Sequence, residues 1–357
     1  MSEATARTFY SKAGLGFHLK RDWSTLESLA EHAGAHYRSF DEWMGNKWRH
    51  FDVPSKRLAD VQREIARFLK ARVKFPDTML GGLKGGSPKK NAEAHRGQGL
   101  VFKLDIRDCF PSIGHRRVFR MFREQLKFSD PISNLLTKLT TFQNRLPQGS
   151  PASSVIANLV LMELHESIQL ECEALGLKCT FFVDDITLSG ERVREVIAPV
   201  VRLVQRHGFS MRPCKVRLLA AHREKLSVTG VLVNRRRLSV GRTRKNKLRA
   251  RIHQLSRGER VTDSDLRSIQ SSVVQVKHIS NHQGETLERL VQEKLPKRGV
   301  QTPKERAKKI RRVCKCTHKH RHKRNEESVT ATHQPASSVA AGLPRQHFVH
   351  TLEAGLR

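Results

Sequence analysis

The chain has 357 residues, 38% of them hydrophobic, which is enough for two or more packed subdomains and excludes a wholly disordered polypeptide. Its formal charge of +33, from 67 Lys and Arg against 34 Asp and Glu, exceeds what solubility requires and favours a polyanionic partner, nucleic acid first. No apolar run approaches 18 residues and no N-terminal segment has a signal-like apolar region, so the expectation is a cytoplasmic chain with no membrane partner.

Taken in order, residues 24 to about 72 read as helix in pieces, interrupted at 48–54 by Trp-Arg-His-Phe-Asp-Val-Pro and resuming from Ser55, a candidate N-cap, to Leu69. The Gly-rich basic stretch 81–90 reads as a loop, open to phosphates or simply solvated, and its spacing fits no P-loop. Val101 to Ile106 alternates like a strand, a helix follows near His115 to Gln125, and residues 145–151 lead into an amphipathic helix ending near Glu171. The run 180–190 is β-rich and reverses near Asp184-Asp185, and Val196 to Gly208 has helical periodicity. From about 235 the chain turns basic and helical, and from Pro296 it becomes basic and then Ser/Thr/Ala-rich, which predicts a helical subdomain and a poorly ordered tail. The six cysteines (Cys109, Cys172, Cys179, Cys214, Cys314, Cys316) lack disulfide-like spacing and read as reduced thiols; Cys314-x-Cys316 with the His-x-His-x-His that follows lacks finger spacing, so the tail reads as a basic RNA-binding segment.

Chemistry concentrates at three acids. Asp184 and Asp185 are adjacent in an apolar β-rich run, where two like charges are costly unless cations hold them. Asp105 ends an earlier strand, so three carboxylates at strand ends can converge on a pair of divalent cations, as phosphoryl transfer requires.

The ordered motifs are similar to those of bacterial retron-type reverse transcriptases. Leu104-Asp105-Ile106-Arg107-Asp108-Cys109-Phe110 resembles the first catalytic motif, and Leu146-Pro147-Gln148-Gly149-Ser150-Pro151 with Ala157-Asn158-Leu159 the second. Phe182-Val183-Asp184-Asp185 resembles the third, although Phe181-Phe182-Val183 stands where the family usually has Arg-Tyr-Ala. Asn91-Ala92-Glu93-Ala94-His95 and Val228-Thr229-Gly230 match two retron-specific elements, and the resemblance covers about 36–290.

That resemblance implies an α+β right-hand polymerase fold: N-terminal helices and a fingers-like region in 1–100, a palm with inserted fingers helices in 101–234, a helical thumb in 235–300, and a basic tail in 301–357. It implies an RNA-directed DNA polymerase using two Mg²⁺ ions, with Asp105, Asp184, Asp185 and the Ile106 carbonyl as ligands. Phe110 would crowd the sugar 2′ position, Gln148 and Gly149 would approach nucleotide and template, and Arg49 and Lys215 the triphosphate. Asn91 and His95, one helical turn apart, and Val228, Thr229 and Gly230 would serve RNA recognition, with structural roles open for each. The helix expected at 241–252 would track a duplex backbone with a cationic face. The implied partners are dNTPs, a cognate structured noncoding RNA, its cDNA product and an effector protein in antiphage defence. Other bacterial reverse transcriptases, and a non-catalytic RNA-binding scaffold of the same fold, are the alternatives.

Overall fold

The computed structural model describes residues 11–44, 47–233, 237–257 and 262–295, which belong to one compact unit. Two short helices, α1 (Lys12–Leu19) and α2 (Trp23–Glu31), open it, capped by the Ser11 hydroxyl and the Asp22 carboxylate, which accept from backbone amides. An antiparallel hairpin follows, β1 (Tyr37–Met44) with β2 (Lys47–Pro54). The expected helix pieces therefore stop at the 3₁₀ turn ending at His36, and the aromatic stretch 48–54 is the second arm of a hairpin. Helix α3 (Lys56–Arg72) begins after Ser55 as expected, yet the Ser55 hydroxyl caps nothing and meets His36 Nδ1 at 3.1 Å.

The next segment carries α4 (Pro88–Ala94), β3 (Leu100–Asp105), a single turn α5 (Cys109–Ser112) and α6 (His115–Arg120), which runs on as a π-helical turn to Gln125. Helix α7 (Asp130–Thr140) was absent from the sequence expectations although Ile132, Leu135, Leu136 and Leu139 make a regular buried stripe. The expected long helix divides at Leu161 into α8 (Ser153–Val160) and α9 (Met162–Glu173). Strands β4 (Lys178–Phe182) and β5 (Asp185–Ser189) form the anticipated reversal, and α10 (Val193–Arg206) buries Val193, Val196, Val200 and Val204, each worth about 1.5–3 kcal/mol when fully buried. Then come β6 (Arg217–Ala220), three short strands β7 (Ser227–Val228), β8 (Val231–Leu232) and β9 (Ser239–Val240), and helices α11 (Arg242–Arg257), α12 (Asp263–Ile279) and α13 (Asn281–Lys294).

The central sheet is antiparallel in the order β4-β5-β3-β6. Its period of two divides it cleanly: Phe102, Leu104, Phe181, Ile186 and Leu188 enter a main core shared with α8, α9 and α10. Asp105, Lys103 and Val101 share the opposite face with Asp185, Thr187 and Ser189, each directly across the β3–β5 ladder from its partner. A second core, built from Val101, Leu219, β7–β9 and α11–α13, covers the part of that face away from the acids. Helix α4 touches both, with Ala92 in the second core. Helix α11 buries only Leu248 and Ile252, so its Arg242, Arg244, Lys247, Arg249 and Arg251 form the expected exposed cationic face. The reading of residues 301–357, with the Cys314–Cys316 stretch, lies outside the described residues.

Candidate active site

Strand pairing sets two of the three acids. Asp105 and Asp185 are directly opposed, and Val183 and Asp184 make the two-residue turn between β4 and β5. The Asp184 carbonyl accepts from the Ile106 amide at 2.9 Å, which ties the turn to the end of β3. Val183 adopts φ +58°, a costly value for a β-branched residue, so the surroundings must hold it. They do so through Gly81, where a Cβ would lie 2.4 Å from the Val183 nitrogen, and through Asn158, whose Nδ2 donates to the Gly81 carbonyl at 2.7 Å. The Gly-rich loop thus begins as a brace for the acidic turn, a use its sequence did not disclose.

The carboxylates are crowded. Burial first, then Asp185 and Asp105, push the Asp184 carboxyl up to about 6, and burial raises Asp185 as well. Segment 210–212 pairs with 105–107 and brings cations to them: Arg212 Nε stands 3.5 Å from Asp105 and its Nη2 bonds Asp108 at 2.9 Å. The Lys215 ammonium bonds Asp105 and lies 4.0 Å from Asp185, so this exposed side chain is drawn onto the carboxylates. Among the described residues no three acidic, His or Cys side chains are grouped to hold an ion as they stand. The donor set nevertheless suits a hard cation: three oxygen-bearing groups, two of them held in a costly charged state that a bound cation would relieve.

A cleft of about 450 Å³ opens beside Asp184, lined by Arg49, Phe110, Gln148, Arg212, Lys47, Trp48, His50, Asp52 and Arg145 among others. Four of the residues expected to handle nucleotide and template are therefore either in its wall or adjoining it, Gly149 being the fourth, next to Gln148. Gly149 has φ +131°, and a Cβ there would lie 2.9 Å from the Asp52 carbonyl, so the chain passes against β2 as only Gly can. The Asp52 amide donates to the Gln148 carbonyl at 2.8 Å, which completes the seam.

Sequence reasoning missed the support for this wall. Asp52 is buried and accepts from Ser39 Oγ at 2.6 Å, meets His50 Nε2 at 3.1 Å and Arg145 Nη2 at 3.5 Å. A buried acid with three partners joins the hairpin to the 145–149 turn; its signal was an Asp in an alternating strand three positions after Arg49. Lys47 was also missed, and burial followed by the charges of Arg212, Arg49 and Lys215 holds its ammonium below the usual range. So much unbalanced positive charge around one cleft is suited to phosphate oxygens.

Three residues expected to contact RNA do not reach the surface. Asn91, His95 and Val228 are each 0% exposed. His95 fits between β4 and β5, with Nδ1 2.7 Å from Ser189 Oγ and Nε2 2.7 Å from Thr180 Oγ1, and burial lowers its pKa to about 3, so the ring is neutral. Neutral imidazole has one donor and one acceptor, and two hydroxyls satisfy both. Asn91 Nδ2 points at Thr229 Oγ1 at 3.5 Å, and that hydroxyl donates to the Pro88 carbonyl at 3.1 Å. The two separate sequence elements 91–95 and 228–230 are thus one joint, with half-buried Thr229 and exposed Gly230 forming the tight β7–β8 turn at its tip.

The charge state of Asp184 sets a pH dependence. Its folded pKa is raised, so the charged form costs stability, and that cost appears as pH rises from about 4 towards 6. A divalent cation held there would favour the charged form and reverse the trend, so Mg²⁺ should raise the melting temperature by a few degrees at pH 8 and by less than about 1 °C at pH 5. Equal Mg²⁺ shifts at both pH values in a thermal melt would refute the coupling.

Residues 42–233 match the family described as reverse transcriptase (RNA-dependent DNA polymerase). The Ec86 retron reverse transcriptase of Escherichia coli is 29% identical over 209 residues, 58% of this chain and 65% of that protein. The Se72 retron reverse transcriptase of Salmonella heidelberg is 31% identical over 232 residues, 62% of this chain and 60% of that protein. For the Mx65 retron reverse transcriptase of Myxococcus xanthus the figures are 31% over 261 residues, 66% and 60%. The chain thus spans 60–65% of the length of these relatives.

Proposed function

We propose, from the premise that this chain belongs to the reverse transcriptase family, resembles its retron-type members and has their right-hand fold, that it is an RNA-directed DNA polymerase. The observation that carries this is the placement of three acids at adjoining strand ends, one of them, Asp184, in the wall of a cationic cleft that contains Arg49, Phe110 and Gln148. In this reading the palm (101–234) supplies the sheet, the β1–β2 hairpin belongs to the fingers-like region (1–100) and α11–α13 form the thumb (235–300).

The family uses divalent metal ions, and here Asp105, Asp184, Asp185 and the Ile106 carbonyl would hold two Mg²⁺. When bound, these ions supply charge neutralisation for the attacking primer hydroxyl and the leaving pyrophosphate. Loading requires Lys215 to leave Asp105. Freed from Asp105, the Lys215 ammonium would turn towards the triphosphate, where it could protonate pyrophosphate. Arg49 and Lys47 bind the triphosphate from above, and Gln148 with the bare backbone of Gly149 orients nucleotide and template.

Phe110 projects into the cleft from the single turn α5 and excludes an extra hydroxyl by clash. Replacing it by Ala should raise ribonucleotide incorporation relative to deoxynucleotide by about 100-fold, roughly the most that a steric pocket achieves against a hydroxyl. Single-nucleotide extension with dTTP against UTP measures this, and an unchanged ratio removes the assignment.

The template in this reading is a cognate structured noncoding RNA, recognised at the Thr229–Gly230 turn and held by the cationic face of α11, with Asn91 and His95 as framework. As in retron systems, the product would be RNA joined to cDNA, used beside an effector protein. Expression with flanking genomic DNA followed by ribonuclease and debranching treatment tests it. A small DNA that shifts after debranching supports the retron assignment, an unbranched DNA leaves only the polymerase, and no DNA from well-expressed protein overturns both.

A further inference from the structure

Of the seven large apolar side chains exposed among the described residues, four are on the β1–β2 hairpin: Trp43, Met44, Trp48 and Val53. Trp43 and Trp48 are direct cross-strand partners near its tip, 57% and 67% exposed, with ring centroids 5.5 Å apart and planes at 69°. Two of the chain's three tryptophans thus stand in solvent at the end of a two-stranded ribbon, where they enter neither core. Exposed apolar surface of this kind usually marks an interaction site.

The surroundings specify the partner. Trp48 lines the cleft beside Asp184 together with Lys47 and Arg49, which strand alternation turns to the other face of the ribbon, so the pair adjoins the cationic wall through Trp48. Two of the nearby acids are engaged within the hairpin, Asp41 bonding His50 at 2.9 Å and Asp52 being buried, and Glu42 is in register with Arg49 on the partner strand. Aromatic faces beside a cationic track are the elements of single-strand recognition, in which bases stack and phosphates meet Lys and Arg. A protein partner would gain from the rings but not from the adjoining excess of positive charge.

We propose that Trp43 and Trp48 form a stacking platform for unpaired RNA bases approaching the cleft. That these bases belong to the template rests on the polymerase reading; the stacking itself does not. Because a stacked base contributes whatever its identity, the platform accepts any sequence and acts on position, keeping the strand extended ahead of the site.

The test is the affinity of the full chain for a labelled single-stranded 12-nucleotide RNA and for a blunt RNA–DNA hybrid, by fluorescence anisotropy. The Trp43→Ala/Trp48→Ala variant should lose about tenfold or more for the single strand and stay within about twofold for the hybrid, which also reports an intact fold. Trp43→Phe/Trp48→Phe should recover most of the loss, and RNA should quench the tryptophan emission of the wild type. Equal single-strand affinity in wild type and the Ala variant overturns the platform and leaves the pair to a protein partner. Primer extension is scored separately: RNA binding through these rings without extension sinks the polymerase reading alone, and extension with ring-independent RNA binding sinks the platform alone.

Discussion

Asp184→Asn/Asp185→Asn should abolish DNA synthesis, by at least about 10³-fold, while the protein melts no lower than the wild type at pH 8. The first half follows from charge: amides cannot hold the cations that supply several kcal/mol of transition-state stabilisation, and each 1.36 kcal/mol is a factor of ten. The second follows from what those carboxylates do in the folded chain. Burial first, then neighbouring carboxylates, Asp185 and Asp105 for Asp184 and Asp105 for Asp185, raise both pKa values, so the charged forms carry a cost that an isosteric amide avoids. RNA affinity should remain within about twofold, since the cationic faces are untouched. Primer extension, a thermal melt and RNA titration on one preparation check all three. Synthesis above a tenth of the wild-type rate would remove these residues from the chemistry and favour the non-catalytic scaffold.

His95→Ala should cost about 3 kcal/mol or more of stability and lower the extension rate without changing nucleotide KM. Truncation empties a fully buried site and strands the Thr180 and Ser189 hydroxyls, each of which loses a buried partner at about 1–3 kcal/mol. The rate effect is one of positioning: Thr180 and Ser189 belong to the two strands that aim Asp184 and Asp185, yet His95 touches no substrate. His95→Gln retains a donor and an acceptor and should recover part of both losses. Urea denaturation at pH 8 reads the first quantity. A stable His95→Ala protein would show that the two strands need no pin.

How much of this was legible depends on where the signal resides. The acids, the strand of Asp105 and the β4–β5 reversal were legible because period-two alternation and adjacent carboxylates are local features. The hairpin 37–54 was not, because most of its positions are exposed and burial alternates only at the inner end of β2; the Gly45-Asn46 pair in the sequence was the turn signal to use. Helix α7 was readable from its Leu and Ile stripe and was overlooked between two motif-bearing segments. The Asp52 seam and the Gly81 brace depend on contacts across more than 90 residues, as with Arg145 to Asp52 and Gly81 to Val183, and no local pattern encodes them. Asn91 and His95 matched a motif whose meaning the match could not supply; only their burial shows them to be framework.

Helix α4 is seven residues long, about 10 Å, with Thr229 gripping the carbonyl of its first residue and His95 at its other end wedged into the strands that carry the acids. In the proposed reading, RNA recognition and catalysis therefore share a single mechanical part and are not exchangeable modules. Grafting a foreign 227–232 hairpin alone would leave Asn91 and the Pro88 carbonyl facing a side chain they do not fit. Redirecting the RNA preference that reading assigns would mean moving residues 87–95 with that hairpin as one cassette, and keeping within it the imidazole that joins β4 to β5.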